Sequence, residues 1–330
     1  MALSSSNVSK VSVLAIVLCA ATSDWAEETA SSPNAWTELR AKIEEREKTI
    51  KSFDIRFEER MPDKVVNWIV LKKGNRQIRV EHEGKLLSPI DQKPYLAKTI
   101  NVSNGNVHKT FCPNLGNLYP GGYVTKEDRT SFYSHVALQP IAFRYRMVEW
   151  MAADCPTRSN DKISVRTGTL DGKACVIAWW SWTKPAVVFP DGKLGKPTIN
   201  VREVHLDPTR EMIPLRVTAM VNGSFSTHLQ WDLEYSVADA GFVLSGWKFD
   251  ATNREGRIRH AKSVKVLQWK VNPSIDDSAF DIQFPVGTYI EDRVAGENYI
   301  LKENSRKRRV TAKDWSGATY ETLLHTEPSN

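Results

Sequence analysis

The sequence predicts an α+β fold in which one antiparallel sheet of about ten to twelve strands is covered by two or so helices. Apolar residues recur at every second position through most of residues 52–283, which is the period of a half-buried strand. Only two segments have helical spacing, and short turn signals separate the others, unlike the strand–helix alternation of a parallel sheet. The 330 residues are 41% hydrophobic and 25% charged, which excludes a mainly disordered chain and a multi-span membrane protein.

The first two elements are a helix and an antiparallel meander. Residues 35–51 predict a helix because Trp36, Leu39 and Ile43 fall on one face of it. The period then changes to two, with turns at Pro62-Asp63 and at Gly74-Asn75. Three strands are therefore predicted near 53–58, 66–71 and 78–82.

The rest of the chain follows the same style, interrupted by one more helix. Residues 95–112 predict two strands around the Asn104-Gly105 turn, and residues 113–137 read as an irregular insertion. Residues 139–153 predict a helix with Pro140 in its first turn, where a missing N–H costs nothing. Further strands are predicted at 162–169, 174–182, 198–206, 212–221, 226–236, 241–250, 258–271 and 278–283.

The N-terminus has the pattern of an export signal. Lys10 precedes an apolar run from Val11 to Ala21, and small residues follow it, so residues 1–26 predict a signal peptide and an exported protein of the periplasm or cell envelope. Two alternatives remain open: a buried helix of the fold, and lipid anchoring at Cys19. The remaining cysteines, Cys112, Cys155 and Cys175, allow at most one internal disulfide.

The chain is predicted to hold one large domain, residues 35–285, followed by a charged, strand-poor extension, residues 286–330. The net charge of +6 is diffuse, and no nucleic-acid partner is predicted from it. Its one concentrated part is Lys302–Arg309, with five positive residues in eight. This basic stretch predicts either a solvated tail or a contact with an anionic membrane surface.

The eleven tryptophans concentrate on predicted strands. Because strand side chains alternate between faces, Trp180 and Trp182 share one face and Trp179 lies on the other. Several strands thus place large apolar side chains on one face, which either packs as a core or lines a groove for an apolar ligand. The candidate groove residues share this alternation and are Phe57, Trp68, Val70, Trp180, Trp182, Trp231 and Trp247.

Three segments carry a resemblance to a known family. They are the helix–strand junction WTELRAKIEEREKTIKSFDIRFEERM, the strand–turn–strand unit VREVHLDPTREMIPLRV, and the late segment VNPSIDDSAFDIQFPVGTYI. Together they resemble the LolA/LolB-type lipoprotein-carrier superfamily of exported proteins, which includes the sensory domain of RseB-like regulators. The resemblance implies an incomplete, half-open antiparallel β-barrel, closed by helices, with an apolar concavity for a lipid or a lipoprotein acyl chain.

The functional hypothesis is a non-catalytic exported carrier or sensor for such a hydrophobic ligand, with no cofactor. One alternative is a secreted interaction module whose apolar sheet face is fully covered and which acts through residues 113–137 or the tail. A second alternative is an enzyme at Glu203, His205 and Asp207, which would point the same way from one strand, although Asp207 precedes Pro208 and is better explained as a turn residue.

Overall fold

The computed structural model describes residues 33–88, 92–116, 118–126, 135–154, 162–186, 192–195, 197–222, 227–239, 241–253 and 255–326. The predicted signal peptide, the alternative anchor at Cys19 and the thiol of Cys155 lie outside the described residues. None of the described helices is long and apolar enough to cross a membrane.

The described residues form sixteen strands and five helices. The helices are α1 Pro33–Lys48, α2 Gln139–Tyr145, α3 Met147–Asp154, α4 Ala312–Gly317 and α5 Tyr320–His325. The first eight strands are β1 Ser52–Met61, β2 Lys64–Lys73, β3 Gln77–Leu87, β4 Pro94–Ser103, β5 Val107–Leu115, β6 Tyr119–Lys126, β7 Lys162–Leu170 and β8 Lys173–Lys184. The others are β9 Thr198–Asp207, β10 Ile213–Asn222, β11 Thr227–Ala238, β12 Gly241–Asn253, β13 Ile258–Val271, β14 Tyr289–Asp292, β15 Glu297–Leu301 and β16 Lys307–Arg309.

All sixteen strands belong to one sheet. Its order is β16-β15-β14-β6-β5-β4-β3-β2-β1-β13-β12-β11-β10-β9-β8-β7, and the pairing of β14 with β6 is parallel where the other neighbours are antiparallel. The first and last strands of this order do not pair with each other, so the sheet is open. The predicted α+β half-open barrel of ten to twelve strands is therefore wrong: the chain is predominantly strand, and it extends one open sheet instead.

The C-terminal segment explains part of this difference. Residues 286–330, predicted as strand-poor, supply β14, β15 and β16, which continue the sheet beyond β6. These strands are four, five and three residues long, too short to display a period of two in the sequence. A strand predicted at 278–283 is absent there, and Asp277–Phe280 forms a 3₁₀ turn that packs its Phe280 against Val102.

The helical layer lies on one face of the sheet, which we call the inner face. Strand β6 and strand β7 lie far apart in the sheet order, and the chain between them includes α2 and α3. Together with α1, these helices bury apolar side chains against β1–β3 and β8–β13 in a single core cluster. The predicted helix at 139–153 is divided in two because Arg146, with φ −148°, leaves the helical conformation.

One charged side chain of the inner face provides a test of this burial. Lys72 is 7% exposed and donates to the carbonyl of Gly74 at 2.7 Å. Burial, aided by the charge of Arg146, lowers the pKa of Lys72 to about 7. Between pH 7 and the ordinary lysine pKa, the unfolded chain therefore binds more protons than the folded one, and folding stability rises with pH.

We expect the free energy of unfolding to rise by about 1.4 kcal/mol per pH unit through this window on account of Lys72. Urea titrations at pH 7 and pH 9 measure the rise. Lys72→Met should remove it, because methionine does not titrate, whereas Lys42→Met on the exposed face of α1 should leave it unchanged. An equal rise in the wild type and in Lys72→Met would contradict this assignment.

Candidate functional site

The seven predicted groove residues all lie on the inner face. Six of them are buried in the main core cluster, and Trp182 is partly buried against it. The helices α1, α2 and α3 contribute Leu39, Ile141 and Met151, respectively, to the same cluster. The structure thus brings the predicted residues together in one core cluster, to which the helices also contribute.

Aromatic rings form the centre of this sheet–helix layer. Trp180 meets Trp36 of α1 at 5.7 Å and Trp150 of α3 at 5.5 Å between ring centroids, both edge to face. Trp150 meets Phe143 at 4.7 Å, and Phe143 meets Trp231 at 5.4 Å. Such edge-to-face pairs add to the stabilisation from burial. The aromatic layer therefore connects β8 to β11 through α2 and α3.

Two indole groups in the aromatic layer lack a hydrogen-bond acceptor. The Nε1 atoms of Trp180 and Trp231 are buried and have no partner, although both side chains are almost completely shielded from solvent. A buried donor without an acceptor costs about 1–3 kcal/mol, and buried indoles usually find a partner. The layer therefore offers two donors to any acceptor atom that enters it.

A polar cluster lies at one end of the inner face, and we call its five residues the Glu59 cluster. Glu59 of β1 is 1% exposed and accepts from Trp68 Nε1 at 3.1 Å and from Lys262 Nζ at 2.9 Å. His82 and His135 pack on the same indole, with ring centroids 4.7 and 4.8 Å from that of Trp68. A buried carboxylate requires this kind of pairing, because an isolated buried charge is very costly.

The Glu59 cluster is graded in exposure. Glu59 and Trp68 are buried, His82 and Lys262 are half-buried, and His135 is exposed. Burial lowers the pKa of His82, and the neighbouring His135 lowers it further, while Glu59 opposes the shift. Burial likewise lowers the pKa of His135 against the attraction of Glu59, so both rings are neutral at pH 7.

Sequence reasoning missed the Glu59 cluster, although a signal for it exists. Glu59 continues the phase of Phe53, Ile55 and Phe57, which all face inward. His82 continues the inward phase of Val80 in the same way. The neighbouring Glu81 and Glu83 lie on the opposite face from His82, because successive side chains of a strand alternate between faces. A charged or polar residue at a strand position whose neighbours two residues away are apolar is thus the sequence signal for such a buried polar cluster.

The residues of the enzyme alternative lie on the outer face. His205 Nε2 and Glu203 Oε1 are 2.7 Å apart, and His205 Nδ1 lies 3.7 Å from the Sγ of Cys175. The carboxylate of Asp207 binds Thr209 and Arg210 at the β9–β10 turn, although its charge still acts on the thiol of Cys175. The interpretation of Asp207 as a turn residue is therefore confirmed.

The chemistry of this outer-face group follows from its burial. Cys175 is 2% exposed, and burial together with the charge of Glu203 raises the pKa of its thiol. A thiol that stays protonated is a poor nucleophile. Among the described residues, no three His, Cys, Asp or Glu side chains are placed to hold a metal ion. Nothing in this geometry assigns a catalytic role to the group.

The basic stretch Lys302–Arg309 is largely engaged within the protein. Lys302 donates to a carbonyl of α5, and Lys307 and Arg309 both approach Glu297, the latter at 3.4 Å. Arg308 is buried and donates to the last described turn of the chain. These contacts reduce the positive charge that the stretch presents to a membrane surface, and the predicted membrane contact stays a prediction.

Comparison with known proteins gives distant structural likenesses. No protein-family model matches the chain, and no curated protein matches it. The chain is similar to a DUF1329 family protein from Desulfovibrio piger, at 10% identity over 75% of this chain and 96% of that one, with a TM-score of 0.35. It is also similar to an uncharacterized conserved protein from Thermus thermophilus, at 11% identity over 78% and 99% of the two chains, with a TM-score of 0.31.

A third likeness is to a structure of PNGF-II, at 11% identity over 74% of this chain and 32% of that one, with a TM-score of 0.24. Likenesses of this size do not assign the chain to a family. The resemblance to lipoprotein carriers therefore stays a prediction from the sequence.

Proposed function

We propose that this protein is a non-catalytic, exported binding protein that takes an amphiphile with an acyl chain into the layer between the inner face and α1–α3. The observation that carries the proposal is the layer of aromatic side chains between the inner face and the short helices α2 and α3. An acyl chain matches the apolar surface of this layer.

The helical cover is of a kind that a ligand can displace. The helices α2 and α3 have seven and eight residues and are divided at Arg146. Helices of this length are marginal alone and depend on packing. An acyl chain can therefore replace Phe143 and Trp150 in their contacts with the sheet, and the inner face then stays covered by apolar groups.

A second candidate function, an interaction module with a filled core, has its own supporting observation. Six of the seven candidate groove residues are buried in a core cluster that includes residues of the helices, and Trp182 packs against this cluster, so the face is filled without a ligand. In this case binding would use the outer surface, and ligand addition would leave the aromatic layer unchanged. The same experiment therefore separates the two candidates.

The test has two steps. Native mass spectrometry first compares the protein as isolated with the protein after lipid extraction. The extracted protein is then titrated with dodecanoate while its tryptophan emission is recorded. The carrier proposal predicts extractable lipid and a saturable change in emission. We expect Trp231→Phe, which keeps an aromatic ring and reduces the apolar surface against which the acyl chain packs, to weaken dodecanoate binding about tenfold.

Trp179→Phe is the matched control because Trp179 lies on the outer face of the same sheet. Binding by this variant should equal that of the wild type. Absence of extractable lipid together with an unchanged emission in the wild type would refute the carrier proposal and favour the interaction module.

A further inference from the structure

The Glu59 cluster lies beside the aromatic layer. Lys262 of β13 is the cross-strand neighbour of Phe249 of β12, and Phe249 is the neighbour of Trp231 of β11, with ring centroids 5.1 Å apart. Two strand spacings, about 10 Å, therefore separate Lys262 from Trp231 on one face. On the other side, Trp68 stacks on Phe57, and Phe57 meets Trp247. Apolar rings thus lead from the cluster into the layer.

The cluster has more donors than its own acceptor uses. Glu59 accepts one hydrogen bond from Lys262 and one from Trp68, which leaves the other N–H groups of the half-buried Lys262 ammonium for another acceptor. His135 Nδ1 accepts from the backbone N–H of Ala137, so the neutral ring carries its proton on Nε2. Both donors belong to residues at the solvent side of the buried carboxylate.

The charges around the cluster also favour an anion. Glu59 of β1 is balanced by Lys262 of β13, and Lys64 of β2 adds a second positive charge that acts on His135. His82 of β3 and His135, just before α2, are neutral and can each take up a proton. An incoming carboxylate therefore meets one positive charge in excess and two further groups that become positive in response.

Resting on the proposed function, we infer that the Glu59 cluster binds the carboxylate head group of a long-chain fatty acid whose chain lies in the aromatic layer. Lys262 and His135 donate to the carboxylate, and His82 packs on the same indole as His135. Glu59 and Trp68 are positioning residues, since the carboxylate of Glu59 holds both the ammonium and the indole in place. A fatty alcohol of the same length has the same apolar chain for the layer but no carboxylate charge for the cluster, so it serves as the comparison ligand.

Proton linkage follows from this arrangement. A bound carboxylate stabilises the protonated imidazoles, so their pKa values are higher in the complex than in the free protein. Dodecanoate binding should therefore take up protons and strengthen as the pH falls from 7.5 to 6. Binding of dodecanol should not change over the same interval.

The experiment compares dodecanoate with dodecanol by isothermal titration calorimetry at pH 7.5. For the wild type we expect the dissociation constant of dodecanoate to be at least tenfold lower than that of dodecanol. Two variants should bring the ratio of the two dissociation constants close to one while dodecanol binding stays unchanged. One is His135→Gln. The other combines Glu59→Gln with Lys262→Gln, which leaves no unpaired charge. His260→Gln on the exposed start of β13 should leave both constants unaltered.

The outcomes separate this inference from the proposed function. Equal binding of the two ligands by the wild type, or a dodecanoate preference that persists in both variants, overturns the carboxylate site and leaves the carrier function standing. No binding of either ligand overturns both. Thermal unfolding of each variant confirms that a lost preference does not come from a lost fold.

Discussion

Trp180→Ala is expected to lower the free energy of unfolding by about 3–5 kcal/mol, among the largest effects of any single substitution in this chain. The side chain is 0% exposed and lies at the meeting point of three elements: strand β8, helix α1 through Trp36, and helix α3 through Trp150. Truncation to alanine leaves a large cavity and removes both edge-to-face contacts. The short α3 then loses much of the packing on which it depends.

Urea unfolding followed by far-ultraviolet circular dichroism measures this loss. The matched control is Trp179→Ala, one residue earlier on the same strand and half-buried on the opposite face. We expect that variant to lose less than half as much stability. Equal losses in the two variants would mean that α1 and α3 do not use Trp180 as their anchor.

The strand pattern of the sequence predicts which side chains of one strand share a face, and in the structure the candidate groove residues lie on the inner face. Trp180, Trp231 and Trp247 lie inward because the period of two is dictated by backbone geometry alone. The period of two does not predict which elements pack on that face. Helices α2 and α3 belong to the long connection between β6 and β7, and no local sequence pattern specifies on which face of the sheet this connection packs.

Other parts of the fold depend on pairings that are remote in sequence. The edge formed by β14, β15 and β16 rests on a parallel contact in which Tyr289 pairs with Gly121, and strands of three to five residues have no period to read. The Glu59 cluster draws on residues 59 to 262, since β1 and β13 are neighbours only in the folded sheet. The sequence shows that Glu59 is out of place on an apolar face; only the sheet order shows that Lys262 is its partner.

A buried arginine closes the opposite end of the layer, where α1 ends. Arg46 donates to the carbonyls of Met212 at 2.5 Å, Arg144 at 3.0 Å and Glu211 at 3.4 Å. Glu211 and Met212 both have φ of 54° in the β9–β10 turn, a left-handed conformation that costs residues with a side chain about 1–2 kcal/mol. The guanidinium thus joins α1, α2 and a strained turn. Burial and the charge of Arg144 lower its pKa to about 10, so it remains charged at pH 7.

Arg46→Met is therefore expected to cost about 3–4 kcal/mol, because methionine fills part of the space and leaves three carbonyls without their donor. Arg46→Lys should recover only part of the loss, since one ammonium cannot reproduce the planar fork. Arg40→Met, on the exposed face of the same helix, should change stability by less than 0.5 kcal/mol in magnitude, roughly the limit for surface sites.

Glu211→Gly relieves the left-handed strain and should restore about 1 kcal/mol to the Arg46→Met variant, measured by urea unfolding. If Glu211→Gly stabilises neither the variant nor the wild type, the turn carries no strain for Arg46 to offset, and its role reduces to joining the two helices.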